Sequence, residues 1–271
     1  MATPDALVVI GGGHMGSAIV RGVVRAGFLE PGRVVVAEPD AARHPLLALE
    51  GCRTEASAGT AIGRAWPGAA VLLAVKPQVF PRVAREIGRA LDGRLVVSVM
   101  AGVRSGGVAQ ALGGRVVRVM PNLGVSIGVG MSAIAPGPGA TGEDEAWARG
   151  VFETLGRAEA IDESLMDAFT AVAGSGPAYL FYLAEGMVKG AVEAGMEPEV
   201  ADRVVRQTLL GAAELLAGDE GLDAARWRAR VTSKGGTTAA AVEVLDSGDA
   251  MNAIVRAIVA ARDRGAELSA D

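Results

Sequence analysis

The chain has 271 residues, a formal net charge of −5 and a hydrophobic fraction of 50%, of which little is aromatic. A chain of this length can bury a large core and has room for two domains. The acidic balance argues against a surface for nucleic acid or anionic membranes, because both partners favour clustered Lys and Arg. Composition therefore predicts a small-molecule partner.

Compartment signals are consistent with an enzyme of the cytoplasm. The only cysteine, Cys52, excludes an internal disulfide, and Met1–Asp5 lacks the basic and apolar regions of a signal peptide. Two uncharged windows, residues 119–142 and 168–184, are interrupted by glycine and proline and therefore do not read as membrane spans. We expect a cytoplasmic protein.

The first predicted strand, Leu7–Ile10, runs into a glycine-rich turn and then a helix. The turn and helix entry are formed by Gly11, Gly12, Gly13, His14, Met15 and Gly16. Gly11 permits the tight turn, Gly13 lets backbone approach a pyrophosphate, and Gly16 lets helix and strand pack closely. Glu38 follows the next strand, 22 residues after Gly16, close to the ~20 expected for a ribose-binding acid. The pattern favours a dinucleotide site over a merely glycine-rich turn.

Strands and helices alternate through the N-terminal half. Predicted strands are Leu7–Ile10, Arg33–Ala37, Ala69–Val75, Leu95–Val99 and Arg115–Met120, and predicted helices are Ser17–Ala26, Asp40–Leu49 and Val79–Leu91. This alternation implies a parallel sheet with helices on both faces and ligands at the carboxyl ends of the strands. Those ends carry the glycine turn, Glu38, Lys76–Pro77, Met100–Gly102 and Pro121–Asn122.

The pattern becomes helical near residue 162. Apolar stripes at helical spacing follow Pro177 and Pro198 and begin again at Met251. Core packing is the default interpretation of each side chain, but several broad apolar faces together predict a homodimer. The predicted fold class is an α/β Rossmann-like dinucleotide-binding domain, residues 1–161, followed by an all-α dimerisation and substrate domain, residues 162–271.

A glycine pair enters a further predicted helix in the segment VTSKGGTT, Val231–Thr238. Such a pair exposes amide donors, and the two threonines add hydroxyls, so the segment can hold an anion beside a hydrogen-bond donor. A plain helix cap with glycine spacers explains the segment equally well.

Six segments together resemble the pyrroline-5-carboxylate reductase family, and the resemblance covers nearly the whole chain. They are GGGHMG (11–16), AVKPQ (74–78), SVMAGV (98–103), RVMPN (118–122), DAFTAVAGSGPAY (167–179) and VTSKGGTT (231–238). The resemblance implies reduction of the cyclic imine 1-pyrroline-5-carboxylate to L-proline by NADPH or NADH, the last step of proline biosynthesis. It also implies a homodimer with interlocked helical domains, often assembled into a ring of dimers.

The resemblance further implies roles for individual residues. The pyrophosphate would lie on Gly11–Gly16, and the nicotinamide side would be flanked by Ala74, Val75, Lys76, Pro77, Met100, Ala101 and Gly102. The substrate pocket would be formed by Ser233, Gly236, Thr237 and Thr238, with Glu163 as the acidic contact to the substrate nitrogen. Two positions depart from the family pattern: Lys234 stands where proline is usual, and His14 occupies a variable position.

Thr238 is expected to orient the substrate and not to donate its proton. The amides of Gly236 and Thr237 would hold the substrate carboxylate, and the Thr238 hydroxyl would bond the ring nitrogen. Threonine is too weak an acid to donate the proton alone, so solvent or an already protonated imine would supply it. His14 and His44 are too few and too scattered for a zinc site, and no metal is expected.

Two alternatives stay open at this stage. A beta-hydroxyacid dehydrogenase or imine reductase would use a lysine of the helical domain, and Lys189 is a candidate by position, although Glu185 lies four residues before it as for a surface pair. A non-catalytic nucleotide-sensing module would be favoured by loss of the anion loop, but residues 235–238 are intact.

The sequence and the family resemblance lead to opposite expectations for cofactor preference. Glu38 can accept both hydroxyls of a ribose and repels a 2′-phosphate, and Asp40 adds a second negative charge, which favours NADH. The family commonly uses NADPH, for which Arg43 could contact the phosphate. We expect NADH to be used at least comparably.

Overall fold

The computed structural model describes residues 3–48 and 50–270, so the predictions that include Met1, Ala2, Leu49 and Asp271 lie outside the described residues at those positions. The described residues fall into two compact units. The first comprises those of Met1–Ser175 and Ala261–Asp271, and the second comprises Gly176–Ala260.

The first unit is built on an eight-stranded sheet in the order β3-β2-β1-β4-β5-β6-β7-β8. The strands are β1 Leu7–Ile10, β2 Val34–Ala37, β3 Arg53–Glu55, β4 Ala70–Leu73, β5 Leu95–Ser98, β6 Arg115–Pro121, β7 Gly130–Pro136 and β8 Gly156–Ala160. The five predicted strands are confirmed with small shifts at their ends. The short β3 has no fully buried residue, which explains why hydrophobicity did not reveal it.

The five predicted strands are parallel to one another, as expected, and β7, which was not predicted, adds one antiparallel pair. β6 and β7 are antiparallel, with Val119 opposite Ile134, whereas the other neighbouring strands are parallel. Residues 122–129 connect the two strands, and a parallel crossover needs a dozen or more residues. The connection is therefore too short to return the chain to the same end of the sheet.

Helices cover both faces of the sheet, as alternation predicts. They are α1 His14–Arg25, α2 His44–Ala48, α3 Ala58–Gly63, α4 Phe80–Ile87, α5 Ser105–Leu112, α6 Gly142–Glu153 and α7 Met166–Phe169. Along β1, Leu7 and Val9 enter one buried cluster while Val8 and Ile10 enter another. Strands buried on both faces read as continuous apolar runs.

The remaining helices are α8 Gly176–Glu193, α9 Pro198–Gly218, α10 Ala224–Arg230, α11 Thr237–Ser247 and α12 Ala250–Ala270. Pro177 lies in the first turn of α8 and Pro198 is the first residue of α9, positions that tolerate a missing N–H. Between α7 and α8 the chain forms a π-helical segment, Thr170–Gly174, which periodicity did not reveal. No helix among the described residues is long and apolar enough to cross a membrane.

The apolar stripes of the second unit are largely exposed in the single chain. Leu180 and Leu183 of α8 are 57% and 50% exposed, and Ile254 of α12 is 55% exposed. Core packing was the default interpretation of these side chains, and for them it is wrong. Apolar surface of this extent marks an interaction site in a protein that stays in solution.

Candidate cofactor and substrate sites

The turn between β1 and α1 is shaped by glycines at points of close backbone approach. Gly11 has a φ of +107°, and a Cβ there would lie 2.6 Å from the carbonyl oxygen of Ala74. A Cβ on Gly16 would lie 1.9 Å from the carbonyl oxygen of Gly11. Gly13 is the N-cap of α1 and provides no side-chain cap. The first amides of α1 are therefore available to an anion.

A groove of about 450 Å³ follows the carboxyl ends of β1, β2 and β4. It brings together six of the predicted cofactor residues: Gly11, Gly13, Glu38, Ala74, Val75 and Lys76. Its volume is in the range of small-molecule and cofactor sites. Gly12 and His14 line an adjoining cavity of about 230 Å³ that shares Gly13 and Arg43 with the groove.

Glu38 is buried at the end of β2 and holds the glycine turn. Its Oε2 accepts the N–H of Gly12 at 2.9 Å, and its Oε1 accepts the N–H of Asp40, also at 2.9 Å. Each carboxylate oxygen has two lone pairs, so one remains on each for a further donor. Glu38 is thus both part of the groove wall and a support of the turn.

Three polar groove residues were missed from the sequence: Ser57, Arg82 and Glu86. The hydroxyl of Ser57 accepts the N–H of Thr60 and begins α3. A serine before a helical run is a recognisable start signal, so Ser57 could have been found. Arg82 and Glu86 reach the groove because α4 packs against α3, and no local sequence pattern predicts that contact.

The predicted nicotinamide residues Met100–Gly102 form a turn directly after β5. Met100 is 2% exposed, and Gly102 has a φ of +72°. A Cβ on Gly102 would lie 3.4 Å from the carbonyl oxygen of Leu268 near the end of α12. Among the described residues, the walls of the groove do not include this turn or Pro77.

Glu163, predicted to contact the substrate, has three hydrogen bonds inside the first unit. Its Oε1 accepts the N–H of Ser105 at 2.8 Å and Nη1 of Arg118 at 3.2 Å, and its Oε2 accepts the Ser105 hydroxyl at 2.5 Å. Burial raises the pKa of the carboxyl, but the hydrogen bonds from Ser105 and Arg118 outweigh it and hold the pKa below its usual range. Contact with the substrate stays a prediction.

The Val231–Thr238 segment lies in the second unit and enters α11. Gly235 has a φ of +71°, and Gly236 is the N-cap without a side-chain cap. A Cβ on Gly236 would lie 2.4 Å from the hydroxyl of Ser233, so a side chain there would displace that hydroxyl. Thr237 and Thr238 are the first residues of α11, and their amides face an uncapped helix start.

A cavity of about 560 Å³ lies at the opposite, amino end of β6. It is lined by Arg115 and Asp144, whose two hydrogen bonds of 2.8 and 2.9 Å satisfy each other's charge. In open α/β sheets ligands bind at the carboxyl ends of strands. The groove at Gly11–Gly13 is therefore the better ligand site despite its smaller volume.

Comparisons with known proteins agree with the resemblance. The sequence profile described as "Pyrroline-5-carboxylate reductase dimerisation" matches residues 163–268. The profile "NADP oxidoreductase coenzyme F420-dependent" matches residues 6–102. The first therefore identifies the C-terminal region as a dimerisation domain, and the second covers the glycine turn and the groove.

Whole-chain relatives give the same result. The pyrroline-5-carboxylate reductase of Methanosarcina acetivorans is 37% identical, with 96% of each chain covered. The structure of a pyrroline-5-carboxylate reductase from Coxiella burnetii has a TM-score of 0.90 at 30% identity, covering 99% of both chains. A Plasmodium falciparum pyrroline carboxylate reductase with NADP bound shares the fold, with a TM-score of 0.86 at 23% identity over 99% of this chain and 100% of the other. The chain belongs to the pyrroline-5-carboxylate reductase family.

Proposed function

We propose that this protein reduces 1-pyrroline-5-carboxylate to L-proline, with hydride from NADPH or NADH held in the groove beside Gly11–Gly16. It is an NAD(P)H-dependent oxidoreductase acting on a C=N bond, and the reaction is the last step of proline biosynthesis. Family membership supports the reaction. The observation that carries the cofactor site is the uncapped start of α1 behind the glycine turn.

The groove residues fit a dinucleotide. At Gly13 there is no side chain to keep a pyrophosphate away from the amides of α1, and Glu38 retains lone pairs for ribose hydroxyls. Arg43, Lys76 and Arg82 line the same groove and supply positive charge for phosphates. When bound, the cofactor supplies the hydride, and the protein's part is to hold and orient the reactants. Ala74–Pro77 and Met100–Gly102 are the proposed neighbours of the nicotinamide.

The proposed substrate site is the start of α11. The amides of Gly236 and Thr237 bind the substrate carboxylate, because a helix start presents unpaired N–H groups and favours negative charge. The hydroxyl of Thr238 hydrogen-bonds the ring nitrogen and fixes the face of the imine that receives hydride. The proton on nitrogen comes from solvent or from the protonated imine, since threonine is too weak an acid to supply it.

A turnover assay tests the reaction. The purified protein should consume 1-pyrroline-5-carboxylate and each reduced nicotinamide cofactor in equal amounts and form L-proline, measured by amino-acid analysis. Oxidation of cofactor without proline would overturn the proposal. The rival lysine mechanism belongs to a different enzyme class, and membership of the pyrroline-5-carboxylate reductase family weighs against it.

We expect a homodimer as the minimal assembly. Light scattering at micromolar concentration should give at least twice the chain mass, because the exposed stripes of α8 and α12 need a partner surface. Ile254→Arg should weaken this assembly by placing a charge in the apolar stripe. Glu185→Arg, at an exposed polar position, is the matched control. A monomeric wild-type protein would contradict the proposal.

Assembly into a ring of dimers and a cytoplasmic location are also proposed. A ring of dimers would appear in the same experiment as a mass that is a multiple of the dimer. A cytoplasmic location is supported by the single cysteine, Cys52, because no second cysteine is available for an internal disulfide. The net charge of −5 supports the absence of a nucleic-acid partner.

Replacing Glu38 by serine should shift cofactor preference toward NADPH by about fivefold to tenfold. The carboxylate repels a 2′-phosphate and accepts ribose hydroxyls, an effect on the order of 1 kcal/mol. The measurement is kcat/KM for NADH and NADPH in both proteins, with NADH expected to be used at least comparably by the wild type.

A control is needed because Glu38 also holds the amides of Gly12 and Asp40. Glu86→Ser removes another groove carboxylate, one that accepts the N–H of Gly59 at 2.7 Å, and should change both cofactors alike. A strong NADPH preference in the wild type that Glu38→Ser leaves unchanged would show that Glu38 does not face the ribose.

A further inference from the structure

Glu163 caps the amino end of α5, although Ser105 at that end is 58 residues away in sequence. α5 begins at Ser105, its N-cap residue Arg104 gives no side-chain cap, and its first turn carries no acidic residue. The Glu163 carboxylate instead accepts both the N–H and the hydroxyl of Ser105, at 2.8 and 2.5 Å. A carboxylate at a helix start satisfies an unpaired amide and complements the helix dipole.

Arg118 anchors the same carboxylate from the sheet. Its side chain is 4% exposed on β6, and its Nη1 lies 3.2 Å from Oε1 of Glu163. A buried guanidinium needs such a partner, because an unpaired buried charge is costly. Glu163 is therefore fixed on one side by β6 and fixes α5 on the other.

These contacts fix the position of the end of the segment that connects β5 to α5. Residues 99–104 connect β5 to α5 and include the Met100–Gly102 turn. The start of this segment is held by β4, since the N–H of Val99 donates to the carbonyl of Leu73 at 3.0 Å. Its end is held at Ser105 by Glu163. A six-residue connection with both ends fixed has few conformations open to it.

We propose that Glu163 is a positioning residue: through Ser105 it holds the Met100–Gly102 turn in the conformation that flanks the nicotinamide, and it does not touch the substrate. The inference rests on the proposed placement of the nicotinamide beside this turn. It replaces the substrate contact that the family resemblance implies, because three donors on two elements hold the carboxylate in place and occupy three of its four lone pairs.

A double-mutant cycle of Ser105→Ala and Glu163→Gln tests the proposal. Three readouts separate positioning from substrate contact: the fluorescence emission of bound NADPH, the split between kcat and KM for 1-pyrroline-5-carboxylate, and the affinity for ADP-ribose. Emission reports the surroundings of the reduced nicotinamide, whereas ADP-ribose lacks that ring. Thermal unfolding monitors the fold of each variant.

Each single variant should shift the emission and lower kcat about tenfold, with KM for the imine changed less than about twofold. ADP-ribose should bind as it does to the wild type. The double variant should be no worse than Glu163→Gln alone, because both substitutions alter the same hydrogen bond between the Ser105 hydroxyl and Oε2 of Glu163. Glu159→Gln, at an exposed carboxylate on β8, is the control and should change none of these quantities.

A substrate contact would give a different pattern and would overturn the proposal. Glu163→Gln would then raise KM, Ser105→Ala would leave kcat and emission unchanged, and the two effects would multiply. Should Glu163→Gln fail to fold, Ser105→Ala decides alone, and wild-type emission and kcat in that variant refute the inference. Failure of the proposed cofactor site would be distinguishable from failure of this inference. In that case Gly13→Ala would leave the affinity for ADP-ribose unchanged.

Discussion

Gly13→Ala should weaken cofactor binding about hundredfold, or about 2.8 kcal/mol, without changing the fold. Gly13 has a φ of −67°, which alanine adopts without strain. The added Cβ would meet only Nη1 of Arg43, at 3.3 Å, and that flexible side chain can move. The methyl group would occupy the space through which a pyrophosphate reaches the first amides of α1.

Fluorescence titration with NADPH and NADH measures this loss, and thermal unfolding by circular dichroism checks the fold. Gly63→Ala is the matched control, since it lies at the end of α3 with no atom within 4 Å of the new Cβ. Gly16→Ala gives the contrasting case, because its Cβ would lie 1.9 Å from a backbone oxygen and should disrupt the turn itself. Unchanged affinity in folded Gly13→Ala would exclude the turn as the pyrophosphate site.

The cofactor half of the protein was predictable because its geometry demands particular residue types. Leu7–Ile10 is buried on both faces and therefore reads as an unbroken apolar run. Gly11 and Gly16 stand where backbone atoms approach too closely for a side chain, so their spacing is visible in the sequence. The predicted fold class and family are both confirmed for this reason.

Features that depend on distant partners were not predictable. The bonds between Ser105 and Glu163 join residues 58 positions apart, and nothing near either one signals the other. The antiparallel turn from β6 to β7 passes through Leu123–Ile127, where Leu123, Val125 and Ile127 alternate as in a strand although the segment is a short 3-10 helix. Such contacts are set by tertiary structure, whereas sequence patterns report local geometry and burial.

The helical half shows a different limit. The stripes through Leu180 and Ile254 predicted helices at the correct places, but a period of 3.6 residues is the same for a core face and for an interface. Only the exposure of these side chains in the folded single chain distinguishes the two. The predicted domain boundary between residues 161 and 162 also stays a prediction. In the structure, α7 packs within the first unit, which extends to Ser175.

Thr238→Ala should lower kcat/KM for 1-pyrroline-5-carboxylate roughly fivefold to 150-fold, which corresponds to about 1 to 3 kcal/mol. The loss reflects one hydrogen bond to the ring nitrogen, made when the bound substrate displaces water from the Thr238 hydroxyl. Stability should not fall, because Gly236 is the N-cap of α11 and alanine is a good helix former. Steady-state kinetics with saturating cofactor, together with thermal unfolding, measures both effects.

Two further threonine variants make this result specific to the hydroxyl at the start of α11. Thr238→Ser keeps an O–H at the same position and should retain most of the activity. Thr232→Ala removes a hydroxyl that already donates to the carbonyl of Arg228 at 2.7 Å, so its effect on kcat/KM should stay within about twofold. If Thr238→Ala keeps the kcat/KM of the wild type, Thr238 has only a structural role in α11. The proposed orientation of the imine would then need another hydrogen-bond donor.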